Sequence, residues 1–182
     1  MRRILIIIAL FLCVIQSKAQ NIIDFLGIPV CNADTTTYIS ALKENGYKLY
    51  GKNKDSILYT GSFEGMEASV MLVPYTESAK IKAIVFSLEN LNPVKMCSSY
   101  AELVQKYMVK YQDMKYDTYI DEDKSIITTF DDTSGFVALK AEVARKGNSC
   151  EISIFYSCKN KNTAPSSDGI GMDDIWDFRQ TA

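Results

Sequence analysis

Between Cys97 and Gln112 the apolar residues Tyr100, Leu103, Val104, Tyr107, Met108 and Tyr111 recur at i, i+3, i+4, i+7, i+8 and i+11. That is the stripe of an α-helix buried along one side. Ser99, followed three residues later by Glu102, has the spacing of a capping box, which predicts the helix start. A shorter helix is expected over 34–45. Asp34 or Thr35 caps it, Tyr38, Ile39, Ala41 and Leu42 form its apolar face, and Gly46 tolerates the left-handed backbone of a helix end.

The remaining apolar segments alternate or run short, as strands do. Residues 56–63 (SILYTGSF), 66–73 (MEASVMLV) and 80–88 (KIKAIVFSL) are separated by Glu64-Gly65 and by Pro74 with its polar followers. Asn92-Pro93 then reads as a break before the long helix. After that helix come a short segment near 116–120, the acidic turn Asp121-Glu122-Asp123, and strands over 125–130, 135–144 and 149–158. In 135–144, Val137, Leu139, Ala141 and Val143 alternate with Lys140 and Glu142. In 149–158, Cys150, Ile152, Ile154, Tyr156 and Cys158 lie opposite Glu151, Ser153 and Ser157.

Helix then three strands, twice, predicts an α+β fold of tandem α-β-β-β repeats, about 30–90 and 93–158. Short connections make the sheet antiparallel, with two helices packed on one face. Tyr38 and Leu42 match Tyr100 and Val104 at a spacing of 62. At a spacing of 69, Ile57 matches Ile126, and Ala83, Val85 and Phe86 match Ile152, Ile154 and Phe155. Beyond Lys159 the composition turns polar and Gly/Ser/Asp-rich, the signature of a mobile end. Ile175, Trp176 and Phe178 are its apolar exception, either a docked end or a short peptide for a partner.

Charge and cysteines narrow the setting. Arg2 and Arg3, the apolar run Ile4 to Ile15 and the small-x-small step Ser17-Lys18-Ala19 have the form of a signal peptide over residues 1–19. A run of about a dozen apolar residues is shorter than the roughly 20 that a spanning helix needs. Loss of Arg2, Arg3 and Lys18 takes 20 basic residues to 17 against 22 acidic, a net charge of −5. Nucleic acid, whose phosphates demand a basic patch, is not an expected partner. The expected location is the periplasm or the exterior, with no membrane span after cleavage. Cys31, Cys97, Cys150 and Cys158 remain, so one or two disulfides are expected. Cys150 and Cys158 on one strand would stand roughly 26 Å apart and cannot bond each other. Each pairs with Cys31 or Cys97, or stays a buried thiol.

The chain has no histidine. Ser-His-Asp and Cys-His catalysis and His-dependent zinc sites are therefore excluded. Cysteine spacings of 66, 53 and 8 do not make a Cys₄ zinc site. Asp117, Asp121, Glu122, Asp123, Asp131 and Asp132 are the carboxylates that paired-acid hydrolysis would need, but they fall at expected turns. A calcium loop from Asp121 fails, with Ile126 where glycine belongs and Asp132 where the bidentate glutamate belongs. Gly169-Ile170-Gly171 has no strand before it to make a dinucleotide loop. No catalytic residue, metal or cofactor is assigned.

The stretches Ser17-Lys18-Ala19-Gln20, Phe25-Leu26-Gly27-Ile28-Pro29-Val30 and Leu42-Lys43-Glu44-Asn45-Gly46-Tyr47 resemble a group of small exported Bacteroidetes proteins. Asp34-Thr35-Thr36 and Asp55-Ser56-Ile57 are similar to the O-glycosylation triplet of that phylum. The repeated helix-plus-strands order resembles the β-lactamase inhibitor protein fold. That resemblance implies one curved sheet with helices on the convex side and partner contacts on the concave side. The expectation is then a non-catalytic protein-binding module, most concretely an inhibitor or immunity protein against an envelope-acting enzyme or toxin. No contact residue of that family is placed here; if helices cover one sheet face, the opposite face presents Lys80, Lys82, Phe136, Lys140, Glu142, Glu151 and Phe155, and these are the expected contact residues. The alternatives are a carboxylate-based hydrolase of envelope glycans and a structural envelope-assembly module.

Overall fold

The computed structural model describes residues 23–159 apart from positions 32, 76–77, 134 and 144–148. The expected signal peptide and the segment 160–182, with Gly169-Ile170-Gly171, lie outside the described residues. The elements run β1 (Asp24–Phe25), β2 (Ile28–Pro29), α1 (Thr35–Glu44), β3 (Lys48–Lys52), β4 (Ile57–Phe63), β5 (Met66–Pro74), β6 (Ile81–Leu91), α2 (Pro93–Lys110), β7 (Lys115–Ile120), β8 (Ile126–Asp131), β9 (Gly135–Val143) and β10 (Cys150–Cys158). β3 to β10 form one antiparallel sheet in the order β3-β4-β5-β6-β10-β9-β8-β7, and β1 pairs with β2 alone. Read outward from the β6–β10 seam, each half is the same four-strand meander preceded by a helix.

The expected α+β fold is thus present, with four strands per half rather than three. The additional strand of the first half, β3, has the sequence KLYGK and forms an outer edge where four of five residues are exposed. With no buried side to alternate against, it leaves no period-two pattern. The N-terminal lead-in is a hairpin as well, turning at Leu26 and Gly27, both at positive φ.

Strand pairing also corrects the alignment of the two halves. In β4–β5 against β8–β9 the 69-residue spacing holds: Tyr59 and Thr128, and Val70 and Leu139, share the helix side. In β6 against β10 it does not, since Ala83 and Val85 belong to the opposite face from Ile152 and Ile154. Setting Ile84 on Ile152 and Phe86 on Ile154, one residue less, restores the faces. A one-residue slip in a strand exchanges its two faces, so letter matches alone mislead here.

α2 begins four residues before the expected start. Asn92 is its N-cap, with Oδ1 accepting from the Lys95 N–H at 2.9 Å, and Pro93 occupies the first turn. Proline is pre-shaped for that position, so Asn92-Pro93 is a helix start and not a break. Ser99 is buried within the helix and does not cap it. The stripe holds at Tyr100, Tyr107 and Tyr111, with Leu103 and Val104 half-buried; Met108 is exposed. α1 follows expectation, with Tyr38 and Leu42 fully buried and Gly46 at positive φ beyond its end. Its N-cap Asp34 makes no capping bond; the carboxylate pairs with Lys80 instead, at 3.0 Å.

Both helices, the β1–β2 hairpin and one side of the sheet share one core. Its centre is aromatic: Phe25 packs on Tyr38, Phe86 and Tyr156, while Tyr107 packs on Tyr111, Phe130 and Tyr156. Gly61 of β4 admits the Tyr47 ring, which would lie 2.7 Å from a Cβ there. Cys31 is bonded to Cys158, fixing the segment after β2 to the end of β10. Cys97 is an exposed thiol and Cys150 a buried one. The hydroxyls of the two triplets are engaged: Thr35 donates to the Ala79 carbonyl (2.7 Å) and Ser56 to Asn53 Oδ1 (3.1 Å).

Candidate functional site

The expected contact residues fall largely on the sheet face away from the helices. Alternation along β5, β6, β10 and β9, with pairing between them, arranges its side chains in rows across the strands. One row runs Ser69, Ser87, Ser153, Lys140. The next runs Met71, Val85, Phe155, Ala138, and the one beyond it Val73, Ala83, Ser157, Phe136. On the other side of the serine row stand Glu89, Glu151 and Glu142. The face is therefore apolar toward the end of β10 and acidic toward its start.

The serine row is hydrogen-bonded throughout. Ser69 donates to Glu89 at 2.5 Å, Ser87 and Ser153 share a bond at 3.1 Å, and Ser153 donates to Glu151 at 2.6 Å. Glu151 and Glu142 are direct cross-strand partners, a like-charge pair that would repel. Lys140 beside them offsets this: its ammonium lies 2.9 Å from Glu142 and 3.7 Å from Asp121, with only 7% of the side chain exposed. Truncating either partner of so buried a pair strands the other charge. The apolar rows form a second, smaller cluster of Met71, Ala83, Val85, Ala138 and Phe155, with the Phe136 and Phe155 rings 5.3 Å apart.

The structure brings five of the seven expected contact residues together: Phe136, Lys140, Glu142, Glu151 and Phe155. Two of these are not the exposed side chains they were expected to be. Phe155 and Lys140 are buried, while Phe136, Glu142 and Glu151 are half-buried. Lys80 stands before β6, bridged to Asp34. Lys82 falls at the register shift between Ala83 and Ile81, where it has no opposite number on β5. The serine row was not expected; its signal in the sequence is the set of serines inside otherwise apolar strands, at Ser69, Ser87 and Ser153.

The acidic cluster at 117–132 shapes turns. Asp121 accepts from the Ser125 N–H (2.8 Å), Asp132 accepts from the Gly135 N–H (3.2 Å), and Asp131 pairs with Lys159 (2.5 Å). Asp131 ends the six-residue strand β8 and Asp121 bonds Ser125 just before its start, so they stand roughly 20 Å apart, well beyond the spacing of a glycosidase pair. Among the described residues no group of three His, Cys, Asp or Glu side chains could hold a metal ion, and no helix is long and apolar enough to cross a membrane.

On the helix side a cavity of about 260 Å³ opens between the β1–β2 hairpin and α2, lined by Phe25, Phe63, Phe86, Tyr107 and Tyr156, with Lys106 and Lys110 at its rim. Lys110 pairs with Asp24 at 2.8 Å. The Tyr107 and Tyr156 hydroxyls bond each other, and burial pushes both phenols well above their ordinary range. These groups remain neutral and do no acid–base work near neutral pH. No protein-family model matches the chain, and no curated protein or solved structure is significantly similar to it.

Proposed function

We propose that this chain is an exported, non-catalytic protein-binding module that acts through the sheet face away from its helices, most concretely as an inhibitor or immunity-type protein occluding an envelope-acting enzyme or toxin. The observation that carries this reading is the composition of that face: an aromatic and aliphatic strip beside a fixed Lys–Glu–Ser network. Interfaces combine apolar anchors with pre-oriented charges in this way. Phe136, Glu142 and Glu151 form the accessible part, and Lys140 and Phe155 set their positions from below. The chain's cysteine bond suits an oxidising compartment.

The test is capture from envelope extracts with the mature protein immobilised. Phe136→Ala and Glu151→Ala are expected to weaken capture of a specific protein at least tenfold, while Val109→Ala on the exposed side of α2 leaves it unchanged. Equal capture by all three variants would overturn the assignment of the face. Cleavage of envelope glycans by the purified chain, abolished by Asp131→Asn, would replace binding with hydrolysis.

A further inference from the structure

The cavity of about 260 Å³ on the helix side lies over the seam between the two halves. Phe86 and Ile154, direct cross-strand partners on β6 and β10, form its floor together with Tyr156. Leu103, Lys106 and Tyr107 of α2 and the hairpin turn at Leu26 and Gly27 supply other walls. Small-molecule sites have this character: concave, mostly apolar, with a few polar groups at fixed places. A cavity of about 150 Å³ with an apolar lining holds benzene, so by proportion this one takes a body of roughly ten non-hydrogen atoms.

The lining narrows the chemistry of the guest. Phe25, Tyr47, Phe63, Phe86, Tyr107 and Tyr156 all border the cavity. Phe63 meets Phe86 edge to face with centroids 5.3 Å apart, and Phe25 meets Phe86 at 5.7 Å. An aromatic ring placed among them continues that packing. Among the described residues the charged groups at the cavity are Asp24, Lys106 and Lys110, a net charge of +1. Asp24 is taken by Lys110 at 2.8 Å. Lys106 has no ion pair or hydrogen bond among the described residues, which leaves its ammonium to a guest. Lys106 also borders a smaller hollow of about 130 Å³, but there Glu64 and Glu102 offset it and Lys95. An anion is thus favoured at the larger cavity alone.

We propose that this cavity is a binding site for a small aromatic monocarboxylate, with its ring among Phe25, Phe63 and Phe86 and its carboxylate at the Lys106 ammonium. The site lies across the sheet from Phe136, Glu142 and Glu151 and does not rest on the protein-binding reading.

Isothermal titration of the mature protein with 4-phenylbutyrate, its neutral amide and octanoate tests this. The aromatic acid should bind saturably at a single site, and more tightly than octanoate. Its amide should bind about threefold to fivefold more weakly, the difference expected of an ion pair in contact with solvent. Lys106→Met should lower the acid to the affinity of the amide while leaving the amide unchanged, and Val109→Ala should alter neither. Leu103→Trp, which fills the cavity, should abolish uptake of both. No saturable binding of the acid would overturn the site. Equal affinity for acid and amide, or a Lys106→Met variant as good as the parent, would overturn the anionic head. Tighter binding of octanoate would overturn the aromatic body in favour of an alkyl chain. If Leu103→Trp does not fold, Lys106→Met, at an exposed position, still decides.

Discussion

At the scale of single residues the tyrosines set the sharpest constraints. Tyr38, Tyr47, Tyr100, Tyr107, Tyr111 and Tyr156 are all held above the ordinary phenol range, in each case chiefly by burial. A folded-state value above the unfolded one means that the unfolded chain loses its phenolic protons first. Their contribution is complete below about pH 10 and is lost as pH rises beyond it, at about 1.4 kcal/mol per group and pH unit. Denaturant titrations should therefore give a flat stability from pH 8 to 9.5 and a steep fall above 10.5. A flat profile through pH 11 would show the phenols to be solvated. Within the set, Tyr107 and Tyr156 hydroxyls satisfy each other. Tyr156→Phe leaves the Tyr107 hydroxyl buried without its partner and should cost about 1–3 kcal/mol. The double variant with Tyr107→Phe should be closer to the parent than additivity allows, because no polar atom is then stranded.

Among the elements, α2 shows where a helix start is decided. Asn92 accepts from the Lys95 N–H, so Asn92→Ala should lower stability by about 1 kcal/mol, whereas replacing Glu102, the second half of the expected capping box, should not act through a cap. The capping-box pattern at Ser99 and Glu102 is legible, but the same helix holds a stronger start signal in Asn92-Pro93. β4, β5, β8, β9 and β10 were read to within a residue or two, because each is a β-rich run bounded by turn residues. β3 was not, being an edge strand with little to bury. That Phe136, Lys140, Glu142, Glu151 and Phe155 share the sheet face away from the helices was legible from their parity. Their burial was not, because what lies over a face depends on residues distant in sequence. The same holds for Lys82, which a register irregularity takes out of step with its strand.

For the whole molecule, the Cys31–Cys158 bond closes a loop of 127 residues between the first segment and the last strand. Cross-links over loops of that length stabilise mainly by restricting the unfolded chain. The Cys31→Ser, Cys158→Ser variant should lose about 2–5 kcal/mol in denaturant titrations, without change in the sheet signal below its transition. An unchanged midpoint under reducing conditions would mean that the bond is dispensable. The buried Cys150 thiol should stay unreactive in the folded state, while the exposed Cys97 thiol accepts alkylating reagents.

The sheet's pairing pattern has a kinetic side. Among the described residues every strand pairing except one joins neighbours along the chain; β6 with β10 is the pairing that joins the two meanders. Local hairpins close over short loops and form early, whereas the seam has to wait for a closure of about sixty residues or more, from Leu91 to Cys150 at the nearest. Each half can therefore order before the molecule does, with the β6–β10 joint as its last step. Pulse-labelling hydrogen exchange during refolding should protect β4–β5 and β8–β9 before the seam, and simultaneous protection throughout would show that the two halves have no separate existence.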